Sequence, residues 1–330
     1  MCADLPVVVS GIRATGRLHL GNYFGAMKNF PPLQDSNRCF FFIADYHTLT
    51  TLEDPDDLRR NLPEIVLDYL ATGLDPKKSV IFAQSSVPQI AELSLLLGMI
   101  TQFALLERCP TFKEKKDKHP ENINLGLFSY PVLMAADILI QRANLVPVGE
   151  DQLPHIELAQ YIAKKFNTRF GETFPIPEAM IEKAIRVPGL DGTNKMGKSD
   201  DNTINLNDPP ETIRERISNA VSDTQRARRS DPGRPYVCNL FALHEFVTDQ
   251  GLILQIKSDC EGAKIGCVDC KRMLSDSVTA FLAPFQARRA EIARDPSLVA
   301  SVLGEGGRIA RETASETVET VREKMGLVRY

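Results

Sequence analysis

The sequence predicts an α/β domain built on a parallel sheet, followed by a mostly helical domain. Three observations carry that prediction. The first half holds short, continuous apolar runs rich in β-branched and aromatic residues, helix-period stretches lie between them, and strand-like runs thin out after about residue 205. A length of 330 residues suits about two domains.

Taken in order, residues 5–10 (LPVVVS) read as the first strand, followed by a glycine-punctuated turn and the segment 20–27. Pro31-Pro32 should cut or kink the helix after it, because proline lacks the helix-forming N–H. Residues 39–44 (CFFFIA) are the second strand. Asp54 then stands as an N-cap with Pro55 at the first helical position, opening a helix through Ala71. Residues 79–83 (SVIFA) are the third strand, and 89–106 show one helical pattern. Beyond 205, residues 211–221, 275–293 and 307–325 have helical spacing, the last charged enough to be exposed.

Composition narrows the function classes. Hydrophobic residues are 43% and charged residues 25%, which excludes a disordered tail, a collagen-like rod and a small disulfide scaffold. No apolar run approaches the ~18 residues of a membrane span, and 90–100 contains Glu92. The N-terminus lacks the pattern of an export signal, so the expectation is a cytoplasmic protein. The net charge of −4 argues against bulk nucleic-acid affinity and against DNA as a partner. That deficit lies in residues 1–205, since 206–330 are balanced. Within the balanced half, Arg214, Arg216, Arg226, Arg228, Arg229 and Arg234 outnumber Glu215, Asp223 and Asp231. Such a run tracks phosphates, or is simply a solvated face.

Four groups of residues carry chemistry. Residues 10–22 (SGIRATGRLHLGN) follow the first strand, where small residues let backbone amides approach phosphates. The run is not G-x-G-x-x-G, which disfavours a dinucleotide site. It offers His19 and Asn22, three apart, as N–H donors to an anion; the alternative is a glycine turn with a surface histidine. Lys195-Met196-Gly197-Lys198-Ser199 lie in the polar loop 191–202 and suit a mobile cationic clamp on a polyphosphate, or an ordinary solvent-facing loop. Asp137 sits in the apolar stretch 130–140, where burial without a donor is costly. An indole N–H is such a donor, and Met134 three residues earlier is a polarizable neighbour for an aromatic ring. Pairing with Arg142 or helix capping would also account for Asp137.

The fourth group is cysteine. Seven are present, and a cytoplasmic chain should not form disulfides from them. Cys2, Cys39 and Cys109 are scattered, with Cys39 a small core residue of the second strand. Cys238, Cys260, Cys267 and Cys270 are spaced with a single close pair, among Gly262 and Gly266. Four thiolates suit a structural Zn²⁺ or a [4Fe–4S] cluster, and the single close pair tilts toward the cluster.

Together, His19-Leu20-Gly21-Asn22 and Lys195–Ser199 resemble the two signatures of class I aminoacyl-tRNA synthetases, with Gly197 replacing the usual serine. The blocks 130–140 (YPVLMAADILI) and 146–156 (VPVGEDQLPHI), with Ala44-Asp45-Tyr46-His47 and residues 108–116, are similar to bacterial tryptophanyl-tRNA synthetases over nearly the whole chain. The resemblance implies a Rossmann-like catalytic domain over 1–205 and an all-helical anticodon-binding domain over 206–330, its last helix packing back on the first domain. It implies ATP, Mg²⁺, L-tryptophan and tRNA(Trp) as ligands, and a homodimer to which 89–106 could contribute. By resemblance, Asp137 takes the indole N–H, Tyr130 and Gln152 hold the α-amino group, and His47, Met134 and Val148 line the ring. Arg13, Ala14, Thr15, Gly21, Asn22, Gly149, Glu150, Asp151, Val187 and Lys195–Ser199 (Met196 included) face ATP. His19, Asn22, Lys195 and Lys198 are the catalytic set. Arg13 stands where many relatives carry Gln. The string I-G-C-V-D-C-K places the chain with the subset whose Cys238, Cys260, Cys267 and Cys270 carry a [4Fe–4S] cluster, with Zn²⁺ the alternative.

Overall fold

The computed structural model describes residues 5–52, 54–109, 123–181 and 185–327. Cys2 and most of residues 108–116 lie outside the described residues, as does the Ser199 side chain. The chain packs as two compact units, the first of residues 1–16, 29–184 and 295–330 and the second of 17–28 and 185–294. The packing therefore does not divide at 205/206. Residues 17–28 and 185–205 join the second unit, and the last helix joins the first.

The first unit is a Rossmann-like layered structure. Strands β1 (Val7–Ile12), β2 (Arg38–Ile43), β3 (Ser79–Ala83), β4 (Leu145–Val148) and β5 (Glu178–Ile181) form one sheet in the order β3-β2-β1-β4-β5, with every pair parallel. β1 to β3 lie within two residues of the runs expected for them. β4 and β5 carry no periodic signal, being four residues each, with Pro147 inside one and Pro177 before the other.

The helices follow local chemistry. α1 (Leu20–Gly25) ends before a tight turn over Met27–Asn29, and Pro31-Pro32 fall in the first turn of a separate α2 (Phe30–Leu33). That is where missing N–H groups cost least. α3 (Asp45–Thr48) is one turn; α4 (Pro55–Ala71) begins where Asp54 caps the Asp56 amide at 2.8 Å. The single helix expected over 89–106 is instead α5 (Gln89–Gly98) and α6 (Phe103–Glu107). α5 ends at Gly98 and Gln102 is extended, so the helical path is broken before α6 begins.

α7 (Leu125–Ile140) and α8 (Leu153–Phe170) pack on the sheet with Phe40, Phe42 and Phe82. The final helix of the chain, Pro296–Lys324, contributes Ala310, Ala314, Val318 and Val321 to that core. It lies flush on β3 because Gly306 has no side chain: a Cβ there would stand 1.8 Å from the Ile81 carbonyl oxygen.

The second unit holds α9 (Pro210–Asn219), α10 (Asn239–Val247), α11 (Gln250–Glu261) and α12 (Cys267–Ile292), the helical half expected from sequence. α1 belongs here because Phe24 stacks on Phe281 at 5.3 Å and meets Phe246 at 5.1 Å. Much of the arginine run is spent on the unit itself. Arg234 pairs with Asp223, Arg216 with Asp201 (3.1 Å), and Arg226 donates to the Ile265 carbonyl (2.7 Å). Among the described residues no helix is long and apolar enough to cross a membrane.

Candidate active site

In the first unit the strand order reverses between β1 and β4, and ligands of open parallel sheets bind beyond the carboxyl ends at such a reversal. Arg13-Ala14-Thr15 leave β1 and Gly149–Gln152 leave β4 at that position. The Ala14 amide donates to Thr48 Oγ1 (2.9 Å), and Asn61 Nδ2 donates to the Ala14 carbonyl (3.2 Å). Arg13 donates to Thr51 Oγ1 at 2.5 Å while its buried Nε has no hydrogen-bond partner, and burial lowers its pKa. Thr15 is half-buried beside them. Glu150–Gln152 form a single tight turn in which Gln152 Nε2 donates to Asp151 Oδ2 (2.9 Å).

Asp137 is buried on α7, and its partners are neither Arg142 nor a helix end. His47 Nε2–H donates to Oδ2 at 2.9 Å and Gln84 Nε2 to Oδ1 at 2.7 Å. Gln84 in turn accepts the Tyr46 amide (3.0 Å), so the turn of α3 and the end of β3 clamp the carboxylate together. Burial pushes the Asp137 carboxyl up from its ordinary value, against the pull of both donors. A carboxylate offers about four lone-pair sites, so two remain for a ligand N–H. Tyr130 lies edge-on to His47 with ring centroids 6.3 Å apart, and Met134 and Val148 are partly buried against the same core. Sequence reading missed Gln84, although its position just past β3 was the available signal.

The residues expected to meet phosphate gather in the second unit. His19 is the N-cap of α1: its Nδ1 accepts the Gly21 amide (3.1 Å), and Asn22 Oδ1 accepts the His19 amide (3.1 Å). Capping therefore fixes which atoms remain for an anion, namely His19 Nε2–H and Asn22 Nδ2. Gly21 is required here, because a Cβ would meet the His19 ring at 2.8 Å and Met196 Cβ at 3.5 Å. The lysine loop is pinned at its root. The Met196 amide donates to the Val187 carbonyl (2.9 Å), and buried Asn202 takes the Gly197 amide (2.8 Å) while donating to the Lys195 carbonyl (3.1 Å). Asn202 carried no recognisable sequence signal. Leu20 donates to Ile204 and Leu206 to Leu18, joining the two motifs through backbone.

Burial, with the nearby Lys198 charge, pushes the His19 pKa down to about 4, so the ring stays neutral at neutral pH. The unfolded chain takes up a proton near 6.5 and the folded one does not, so stability is lost as pH falls through that window. At pH 5 the loss is roughly 2 kcal/mol. Urea unfolding at pH 7.5 and pH 5 is expected to show a loss about 2 kcal/mol larger for wild type than for His19→Asn, which keeps a capping oxygen, while buried His244, also lowered to about 4, contributes alike to both. Equal losses in both would exclude His19 as the cause.

Cys238, Cys260, Cys267 and Cys270 line one small cavity with Arg226, Gly233 and Phe241. Gly233 is required beside it, since a Cβ would lie 2.3 Å from Cys260 Sγ. Burial and the three neighbouring thiols push Cys270 up to about 12, and burial raises Cys260 as well. The donor set thus has the composition of a thiolate metal site. Among the described residues, however, no three of His, Cys, Asp or Glu are placed to hold a metal ion. The four cysteines share one cavity, and the iron–sulfur expectation is not supported by any ligand geometry among the described residues.

Comparison with known proteins agrees with this layout. The family model "tRNA synthetases class I (W and Y)" matches residues 4–283. Tryptophan–tRNA ligase of Thermotoga maritima is 44% identical over 97% of this chain and 99% of its own, and that of Aquifex aeolicus 39% over the same shares. The crystal structure of tryptophanyl-tRNA synthetase from Campylobacter jejuni, complexed with ADP and tryptophan, superposes with a TM-score of 0.88 at 37% identity, covering 97% of this chain and 100% of that one. With a parallel sheet reversing between β1 and β4, both signature motifs in one unit and a clamped buried carboxylate, the chain belongs to the tryptophan–tRNA ligases of the class I aminoacyl-tRNA synthetases.

Proposed function

We propose that the chain activates L-tryptophan with ATP, giving tryptophanyl-adenylate and pyrophosphate, and transfers the tryptophanyl group to the terminal ribose of tRNA(Trp) in the cytoplasm. The observation that carries the amino-acid assignment is Asp137, a buried acceptor held from two sides with lone pairs to spare. Tyr130 and Gln152 would hold the α-amino group, with His47, Met134 and Val148 around the ring. Arg13–Thr15, Gly149–Asp151 and Val187 would take the adenosine.

The attacking carboxylate is already a competent nucleophile, so the first step needs position and charge stabilisation more than proton transfer. His19 Nε2–H and Asn22 Nδ2 would meet phosphate oxygens. Lys195 and Lys198, with Gly21 and Met196–Ser199 around them, would hold the departing pyrophosphate. The Mg²⁺ expected with ATP supplies further positive charge there. Gly197 has room for a side chain, since a Cβ meets nothing closer than 3.5 Å.

ATP–pyrophosphate exchange with each of the twenty amino acids tests the reading. Exchange with tryptophan alone, followed by aminoacylation of tRNA(Trp), supports it. Exchange with tyrosine would overturn the role of Asp137, and no exchange would overturn the activity. Cys238, Cys260, Cys267 and Cys270 are proposed to hold a [4Fe–4S] cluster that orders the tRNA-facing loops. Stoichiometric iron and sulfide after anaerobic purification are expected, and zinc without sulfide would replace the cluster with the zinc alternative.

A homodimer is proposed on Leu95 of α5, Met99 just after it, Phe103 of α6 and Leu125 of α7. All four are large, apolar and exposed, and Phe103 packs on Phe128 at 4.7 Å. A symmetric partner would cover this face. Leu95→Asp with Met99→Asp is expected to convert the protein from dimer to monomer in analytical ultracentrifugation; an unchanged sedimentation coefficient would move the interface elsewhere.

A further inference from the structure

His155 is a buried titratable group that the mechanism above does not use. It lies on α8, and its Nε2 is 2.6 Å from the Tyr130 hydroxyl, with ring centroids 5.4 Å apart. Cys109 Sγ stands 3.4 Å from the same nitrogen and 3.7 Å from the same hydroxyl. Besides His155, Tyr130 meets the His47 ring edge-on, and through His47 it borders Asp137.

We propose that His155 sets the polarity of the Tyr130 hydroxyl, holding its proton on Nε2 so that the oxygen lone pairs point to the tryptophan ammonium. The inference rests on the reading of Tyr130 as an α-amino contact and says how that contact is made selective. A phenol has one proton and two lone pairs, so its usefulness to a cation depends on where the proton is spent. An O···N separation of 2.6 Å belongs to an O–H donor more than to an N–H donor, whose bonds centre near 2.9–3.0 Å. With the proton committed to His155, the hydroxyl presents acceptor character alone to the pocket. In the opposite tautomer Nε2–H would donate, and the hydroxyl would keep a proton to direct at Cys109 Sγ or at an ammonium it repels. His155 is a positioning residue, acting through Tyr130.

The test compares L-tryptophan with indole-3-propionate, which keeps the indole and carboxylate and lacks the ammonium. Dissociation constants are measured for the full-length wild type, His155→Met, His155→Gln and Tyr130→Phe. His155→Met is expected to weaken tryptophan by about 10–100-fold, the range for a lost hydrogen bond to a charged group, while indole-3-propionate changes less than about threefold. His155→Gln, which restores an acceptor, is expected to recover most of the loss. Equal weakening of both ligands, or a Gln variant no better than Met, would overturn the assignment. Tyr130→Phe separates the two layers: if it leaves the tryptophan-to-propionate ratio unchanged, the reading of Tyr130 fails; if it lowers the ratio and His155→Met does not, only the inference fails. The imidazole ¹⁵N shifts of the wild-type enzyme give a check that needs no variant. An unprotonated Nε2 is expected, and Nε2–H would refute the proposal.

Discussion

Asp137→Ala is expected to reduce the preference for tryptophan over phenylalanine in ATP–pyrophosphate exchange by roughly 10²–10⁴-fold, with the KM for ATP nearly unchanged. A site built to pair one ligand N–H rejects analogues lacking it by about 10⁴–10⁵, because its own polar groups are otherwise stranded. In wild type the stranded group is a buried carboxylate. In the alanine variant that penalty moves to His47 and Gln84, which lose their acceptor whichever amino acid is bound. Tryptophan activation therefore falls while phenylalanine activation does not, and pocket shape supplies what selectivity is left. A preference within threefold of wild type would show that Asp137 is not the indole acceptor.

The second large effect is on stability. Gly306→Ala is expected to cost about 3 kcal/mol or more, because the new methyl falls 1.8 Å from the Ile81 oxygen and 2.6 Å from its carbonyl carbon. Those are backbone atoms of β3 and cannot rotate aside. The last helix must lift, loosening Ala310, Ala314, Val318 and Val321 from the core of the first unit. Two residues earlier, Gly304 faces open space on the same helix. Gly304→Ala should stabilise by roughly 0.5–1 kcal/mol through helix propensity and a less flexible unfolded chain. Thermal or urea unfolding of the pair should give opposite signs. Destabilisation by both, or by neither, would mean that the close approach to Ile81 is not what limits position 306.

The elements that could be read from sequence were those with their own local signal. β3 and α4 fall where expected because a β-branched apolar run and an Asp-Pro helix start leave little choice. β4 and β5 were missed because strands this short are specified by their neighbours: Asn144 bridges the Val7 amide and carbonyl and receives the Glu178 amide. At the site, His19, Asn22, Asp137 and the lysine loop stood out by residue type and spacing. Gln84 and Asn202 did not, since each works by joining segments distant in the chain. His155 was visible as a letter in the quoted block 146–156, yet its meaning depends on Tyr130 and Cys109 meeting it in space. The compact units also do not divide at 205/206, because 17–28 and 185–205 pack with the second unit. Phe24 crosses into the second unit for aromatic partners near residues 246 and 281, and no local pattern announces that.

The last helix closes an edge strand laid down some two hundred residues earlier, and this sets an order of events during synthesis. β3 leaves the ribosome well before residues 185–294 of the second unit, and its cover follows only after them. At about 5–20 residues per second, making the roughly two hundred residues between strand and cover takes about 10–40 s. Throughout that interval the nascent chain exposes the edge of β3, with Ile81 and Phe82, to any other strand nearby. The flush contact at Gly306 therefore comes late in maturation, and it hides a sticky edge that the growing chain has had to carry.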